Sequence, residues 1–215
     1  MDRAKKLTYK NQAQQIIKVM KKQNINGMYF DNSQDAVQAI CKMIPDNALV
    51  GLGGSETIIE TGLVDALRKM DIRLLDRYKD GVTTEEVNKM RREGLLSDVF
   101  IASSNAITAD GKIVNQDGIG NRVAAMIYGP HKVILMVSMN KVVKSVEDAI
   151  ARIKTVAGPM DSIRVGKETP CSKLGFCNDP HCHPPHRICS QLIIVESSLF
   201  PDRMIVVLVG EELGY

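Results

Sequence analysis

The sequence predicts an α/β fold, a mostly parallel central sheet with helices on both faces. Two features carry that reading. Short apolar runs such as Ala48–Leu52 and Val133–Val137 alternate with segments whose apolar residues recur at helical spacing, as strands joined by crossover helices do. The strand-like runs are short and apolar, which suits strands covered on both faces. A chain of 215 residues, 44% hydrophobic and 25% charged, can bury a core without cross-links.

Element by element, Ala13, Ile16, Ile17 and Met20 mark a helix over residues 9–24, stopped by Asn26-Gly27 before a strand at Met28–Phe30. Asp31 to Ser33 cap a second helix with Ala36, Val37 and Ile40 inward. Pro45-Asp46-Asn47 turns into the strand Ala48–Leu52, and residues 57–69 read as helical, followed by an extended Ile72–Leu75. Thr83-Thr84-Glu85-Glu86 opens a helix with acidic residues where the dipole favours them. Asp98–Ala102 is a strand, Asp110-Gly111 turns a hairpin within 106–115, and Gly120–Tyr128 is a short helix. Val133–Val137 is the most strand-like run; Val142, Val143, Val146, Ala149, Ile150 and Ile153 line one helix face, and the helical pattern changes after Pro159. Short strands at Leu192–Val195 and Met204–Val209 close the chain. The expectation is a single α/β domain over 1–215, with a helical N-terminal segment 1–26 and a Cys-rich segment 166–190.

Composition excludes several roles. Net charge is only +3, from 28 basic against 25 acidic residues, with no basic block and 4% aromatics. That argues against nucleic acid and against an anionic membrane surface. The start of the chain lacks the apolar run of a signal peptide, and the longest apolar stretch, Val133–Met139, is too short to span a bilayer. The expected location is the cytoplasm, without membrane insertion.

Four of the five cysteines, Cys171, Cys177, Cys182 and Cys189, fall within PCSKLGFCNDPHCHPPHRIC. Such a loop has little apolar content to fold on, and soft thiolates can hold it by chelation. Pro180, Pro184 and Pro185 let the backbone turn back, while Arg187 and His186 can offset the charge of a tetrathiolate. The alternative is a set of reduced thiols or occasional disulfides. The spacings, Cys-x5-Cys, Cys-x4-Cys and Cys-x6-Cys, lack the paired knuckles usual for structural zinc. They favour an iron–sulfur cluster, [4Fe–4S], over zinc. His181, His183 and His186 are read as bystanders or outer-sphere groups, and Cys41 as a small core residue.

A second candidate site follows the strand Ala48–Leu52. Gly53, Gly54, Ser55, Glu56 and Thr57 form a tight turn into a helix, able to hold a carboxylate or phosphate on backbone N–H groups and hydroxyls. It is neither a P-loop nor a dinucleotide fingerprint, and a merely capped turn explains it equally. Ser103, Ser104 and Asn105, then Asn115, Asp117, Gly118, Asn121 and Arg122, also follow strands and should gather at the same sheet edge. Arg122 is a candidate bidentate anion ligand or else a surface salt-bridge partner, Lys141 adds charge, and Glu56 and Asp117 are the acidic candidates for proton transfer.

The segments VGLGGSETIIETGL, SDVFIASSNAITADGKIVNQDGIGNRVAAMIYGPHKVILMVSMNKVV and VVLVGEELGY resemble the lactate-utilisation (LUD) domain family. The resemblance implies the fold shared by ribose-5-phosphate isomerases, glucosamine-6-phosphate deaminases and CoA transferases. It implies a small anionic ligand at the strand C-terminal edge, a plausible homo-oligomer, and work beside iron–sulfur partner proteins that oxidise lactate to pyruvate. Cysteine tails in that family resemble this one in the TPC…C…C…RIC order, although CNDPHC is longer than a compact Cys-x-x-Cys. No glutamate stands in the setting of a CoA-transferase nucleophile, so CoA transfer is not expected. Two functions compete: an enzyme or redox component acting on a 2-hydroxy acid such as lactate, and a non-catalytic sensor of sugar phosphates or carboxylates with structural zinc. A zinc-dependent nucleic-acid binder is disfavoured by charge.

Overall fold

The computed structural model describes residues 1–178 and 182–215. Pro180 and His181 lie outside the described residues. The main sheet has six strands in the order β1-β10-β7-β4-β2-β3, all parallel. They are β1 (Ile25–Phe30), β2 (Leu49–Leu52), β3 (Arg73–Leu74), β4 (Val99–Ala102), β7 (Lys132–Ser138) and β10 (Met204–Val209). Strict alternation along the central strands fills both faces. Val133, Leu135 and Val137 of β7, with Met204, Val206 and Leu208 of β10, pack under α1 (Arg3–Lys22) through Ala13, Ile16 and Met20. Ile134 and Met136, with Ile205, Val207 and Val209, face the opposite layer of α2 (Ser33–Lys42), α3 (Glu56–Glu60) and α4 (Leu63–Leu67). Apolar residues at every position are what a two-sided parallel sheet requires.

A second sheet of four strands stands apart, in the order β8-β5-β6-β9. Here β5 (Ala106–Thr108) and β6 (Ile113–Asp117) form the expected hairpin, β8 (Val142–Val143) pairs parallel to β5, and β9 (Gln191–Val195) pairs antiparallel to β6. Ala106 and Val114 pack on Ala149 and Ile153 of the following helix.

Several boundaries differ from expectation. The first helix starts at Arg3 and ends at Lys22, and Asn24 with φ +56° makes the turn, so Asn26 and Gly27 lie inside β1. Gly62, with φ +70°, splits the expected 57–69 helix into α3 and α4. Val142 and Val143 are strand, and α7 (Val146–Arg152) begins only after the Ser145 cap. Pro159 does not end helical structure. It lies in α8 (Gly158–Arg164), which continues α7 through a π-helical segment, Ile153–Ala157, whose wider turn accommodates the ring, and Lys154 O within that segment accepts from Cys177 N. Within 166–190, residues Pro170–Leu174 form a short helix, α9, after a Thr169 cap. The remaining helices, α5 (Thr84–Glu93, with a Thr83–Glu86 capping box) and α6 (Asn121–Ile127), match their expected positions. Among the described residues no helix is long and apolar enough to cross a membrane.

Leu135 is fully buried mid-sheet. Leu135→Ala should lower the unfolding free energy by about 2–5 kcal/mol, read from urea denaturation.

Candidate functional site

In the order β3-β2-β4-β7, the chain leaves β2 toward one edge and β4 toward the other. Their C-terminal ends therefore flank a topological switch point, where a crevice opens. A cavity of about 540 Å³ occupies it, lined by segments following β2 (Gly54, Ser55, Glu56), β4 (Ser103, Ser104, Asn105) and β6 (Asp117, Gly118), together with Asn121, Arg122 and Lys141. Of the expected anion-site residues, Gly53 and Thr57 stand behind this wall.

The turn after β2 is held by Tyr78, whose hydroxyl donates to Gly53 O (2.9 Å) and accepts from Ser55 N (3.0 Å). Ser55 Oγ caps α3 at Ile58 N. A side chain at Gly53 would put its Cβ 2.8 Å from Ala102 Cβ and 3.2 Å from Arg122 Cγ, so the missing side chain makes room for the arginine.

Arg122 is largely buried, its side chain 12% exposed, and spends its guanidinium on the protein. Nη1 donates to Ser103 O (3.2 Å) and Asn115 Oδ1, Nη2 to Asn105 Oδ1 (3.2 Å) and Gln116 O (2.7 Å), and Nε faces Asp117 Oδ2 at 3.6 Å. Arg122 does line the cavity, but as a largely buried tie between loops, with its donor fork already facing protein acceptors. Asn105 and Asn115 complete the knot, with Asn105 N donating to Asn115 Oδ1 and Gln116 N to Asn105 Oδ1. The Asp117 carboxylate is similarly engaged, accepting from Gly118 N (2.7 Å), Gly120 N and Val123 N at the start of α6.

Other cations in the wall escaped the sequence reading: Arg77, Arg91, Arg164 and Lys167. Arg164 is paired with Asp161 and lies 3.9 Å from Glu56 Oε2. Arg77 and Arg91 form no ion pair among the described residues, and Arg91 Nε is buried without a hydrogen-bond partner. Desolvation and the neighbouring Arg77 hold the Arg91 pKa below its ordinary value. With Arg122 and Lys141, six cationic side chains line the cavity against three acids, Glu56, Asp117 and Asp161. The position of Arg77 just beyond β3, at the strand C-terminal edge, was the available signal; nothing in the charged α5 pattern singled out Arg91.

Lys141 is 2% exposed, on the turn after β7. Its Nζ donates to Thr57 Oγ1 at 2.7 Å and approaches Ser103 Oγ at 3.5 Å. Burial, then Arg152 and Arg122, push its pKa down to about 7, with Glu60 opposing.

The Cys-rich segment closes one side of the cavity through Ile188 and Cys189. Ser190 N donates to Asp117 O, and a Cβ on Gly118 would lie 2.9 Å from Ile188 O. Cys171 Sγ lies 3.1 Å from Thr169 Oγ1, Cys177 N donates to Lys154 O, and Arg187 donates to the carbonyls of Cys182 and Cys189. Burial pushes the Cys189 thiol up to about 11, with Cys171, Cys177 and Cys182 adding to the shift. Among the described residues, no three His, Cys, Asp or Glu side chains converge to metal-ligand distance. Four thiols on one short segment are a soft donor set that suits a cluster, whose binding would require the sulfurs to draw together and would expel their protons. His183 and His186 border a separate groove with Cys182; Cys41 is half-buried against the α2 layer.

Fold and cavity thus define a parallel α/β protein with a cation-lined crevice at the strand C-terminal edge, closed on one side by Ile188 and Cys189 of the Cys-rich segment. A model of the LUD domain matches residues 13–209, and the chain belongs to that family. A crystal structure of a DUF162 family protein from Deinococcus radiodurans superposes with a TM-score of 0.52 at 14% identity, covering 94% of this chain and 97% of that one, a likeness of fold. No curated protein matches the chain.

Arg122→Met should cost about 3–5 kcal/mol in chemical denaturation, because Asp117 and several carbonyls lose a buried partner. Lys141 carries its own pH signature. Between about 7 and its ordinary 10.5 the unfolded chain holds a proton that the folded chain lacks, so stability rises with pH. Cys189, raised from 9, opposes this only above its ordinary value. Across pH 7–9, Lys141→Met should flatten the rise in melting temperature.

Proposed function

We propose that this protein binds a small anionic metabolite, foremost a 2-hydroxy acid such as lactate, within an iron–sulfur redox system in the cytoplasm. The observation that carries the reading is that Arg77 and Arg91, without acid partners among the described residues, share one cavity with Cys189. Arg77 and Arg91 are the anion ligands, since a carboxylate oxygen would supply the acceptor that the buried Arg91 Nε lacks. Ser103 and Asn105 suit a substrate hydroxyl. Glu56 is the better placed proton acceptor, because the Asp117 carboxylate is already occupied by backbone donors. Cys171, Cys177, Cys182 and Cys189 would hold a [4Fe–4S] cluster, which supplies one-electron transfer and would pass electrons to iron–sulfur partner proteins of lactate oxidation. Clustered reduced thiols suit a reducing compartment.

The size of the cavity favours one other reading. About 540 Å³ exceeds the needs of a three-carbon acid and suits a sugar phosphate, in a sensing module whose cysteines hold structural zinc.

Anaerobic purification, metal and sulfide analysis, and an optical spectrum separate the two. The first reading expects iron, sulfide and a brown absorbance bleached by reductant; a colourless protein with stoichiometric zinc supports the second. Thermal shifts with lactate and with ribose 5-phosphate then rank the ligands. Arg91→Ala should weaken the preferred ligand about tenfold or more, the loss of a charge-assisted hydrogen bond.

A further inference from the structure

Lys141 is not placed like a residue that merely holds charge. Arg77, Arg91 and Arg164 already furnish cations in the wall. Lys141 instead reaches the cavity from within the protein, with hydroxyls of Thr57 and Ser103 as its hydrogen-bond partners and no ion pair among the described residues. Buried lysines are rare without a carboxylate partner. The charged groups facing it are Arg122, Arg152 and Glu60. Both guanidiniums are pinned, Arg122 as described and Arg152 by donation to Asn105 O at 2.8 Å. Thr57 Oγ1 donates in turn to Leu213 O, so it accepts from the amine and orients it. A desolvated lysine beside fixed cations loses its proton easily, and the neutral amine is a nucleophile.

We propose that Lys141 captures the carbonyl carbon of a 2-oxo acid as a Schiff base while arginines of the cavity hold the acid's carboxylate. The inference rests on the anion-pocket reading and names the oxidised partner of a 2-hydroxy acid as a ligand. The Nζ lone pair forms the new C–N bond, and the carbonyl oxygen accepts a proton. The carbinolamine then loses that oxygen as water, which carries away both amine hydrogens. No electron carrier takes part, and hydrolysis reverses the step.

The test uses the full, anaerobically purified chain with pyruvate and sodium cyanoborohydride, followed by intact mass and peptide mapping. The expected result is a single reduced adduct on Lys141. Its formation should rise to half-maximum near pH 7, following an amine with a pKa of about 7 rather than the ordinary 10.5. Lactate, which has no carbonyl, should form no adduct and should slow trapping by competition. Lys141→Met should abolish the adduct, and because mapping is done on the wild-type chain the outcome does not depend on that variant folding. If pyruvate raises the melting temperature but Lys141 stays unmodified, or if label spreads evenly over exposed lysines, the Schiff base is wrong and the anion pocket survives. If pyruvate is not trapped and neither pyruvate nor lactate raises the melting temperature, both ideas fall.

Discussion

The site depends on one largely buried cation. Arg122 reaches from the first turn of α6 to backbone and side-chain oxygens that follow β4 and belong to β6, and so ties the main sheet to the smaller one. A guanidinium suits the task because its planar fork carries five donors in fixed directions, where an ammonium has three on a flexible stem. Its burial is tolerable because Asp117 and several acceptors surround it. Gly53 leaves the gap through which its stem passes.

Once that tie is made, the surplus positive charge has a definite place. Loops following β2, β3, β4 and β7 all end at the same edge, and each brings a polar or cationic group. The outcome is a positive potential in a partly enclosed space, where screening by salt is weak. Cys189, at the side of this space, nevertheless stays a thiol, because burial pushes its pKa up to about 11 against the opposing charge of Arg187. Arg187 also donates to the Cys182 and Cys189 carbonyls and so fixes the Cys-rich segment.

The main sheet was legible because its strands, unbroken apolar runs between helical patterns, have few other ways to bury both faces. The smaller sheet was only half legible. Its hairpin announces itself through Asp110-Gly111, but β8 is two residues long and its valines fit the phase of the helix that follows. The change of pattern after Pro159 did not reveal that helix continues past it, since a proline usually interrupts a helix from within and only the π-helical turn before it makes room for the ring. For the site, residues following strands were legible through topology. The occupation of Arg122 by protein oxygens was not, since it depends on where three separate loops meet. Arg91 was hidden for the opposite reason, as one charge among many on a polar helix.

The π-helical segment at Ile153–Ala157 holds one residue more than an α-helical path would need. Its lower winding per residue absorbs that extra residue, so α8 carries Asp161 and Arg164 into the crevice lining. Tightening the segment into a regular α-helix with every residue kept would swing everything beyond it by about 100° around the axis, and Asp161 and Arg164 would leave the crevice. A local irregularity in winding therefore sets the angular phase of the cavity wall.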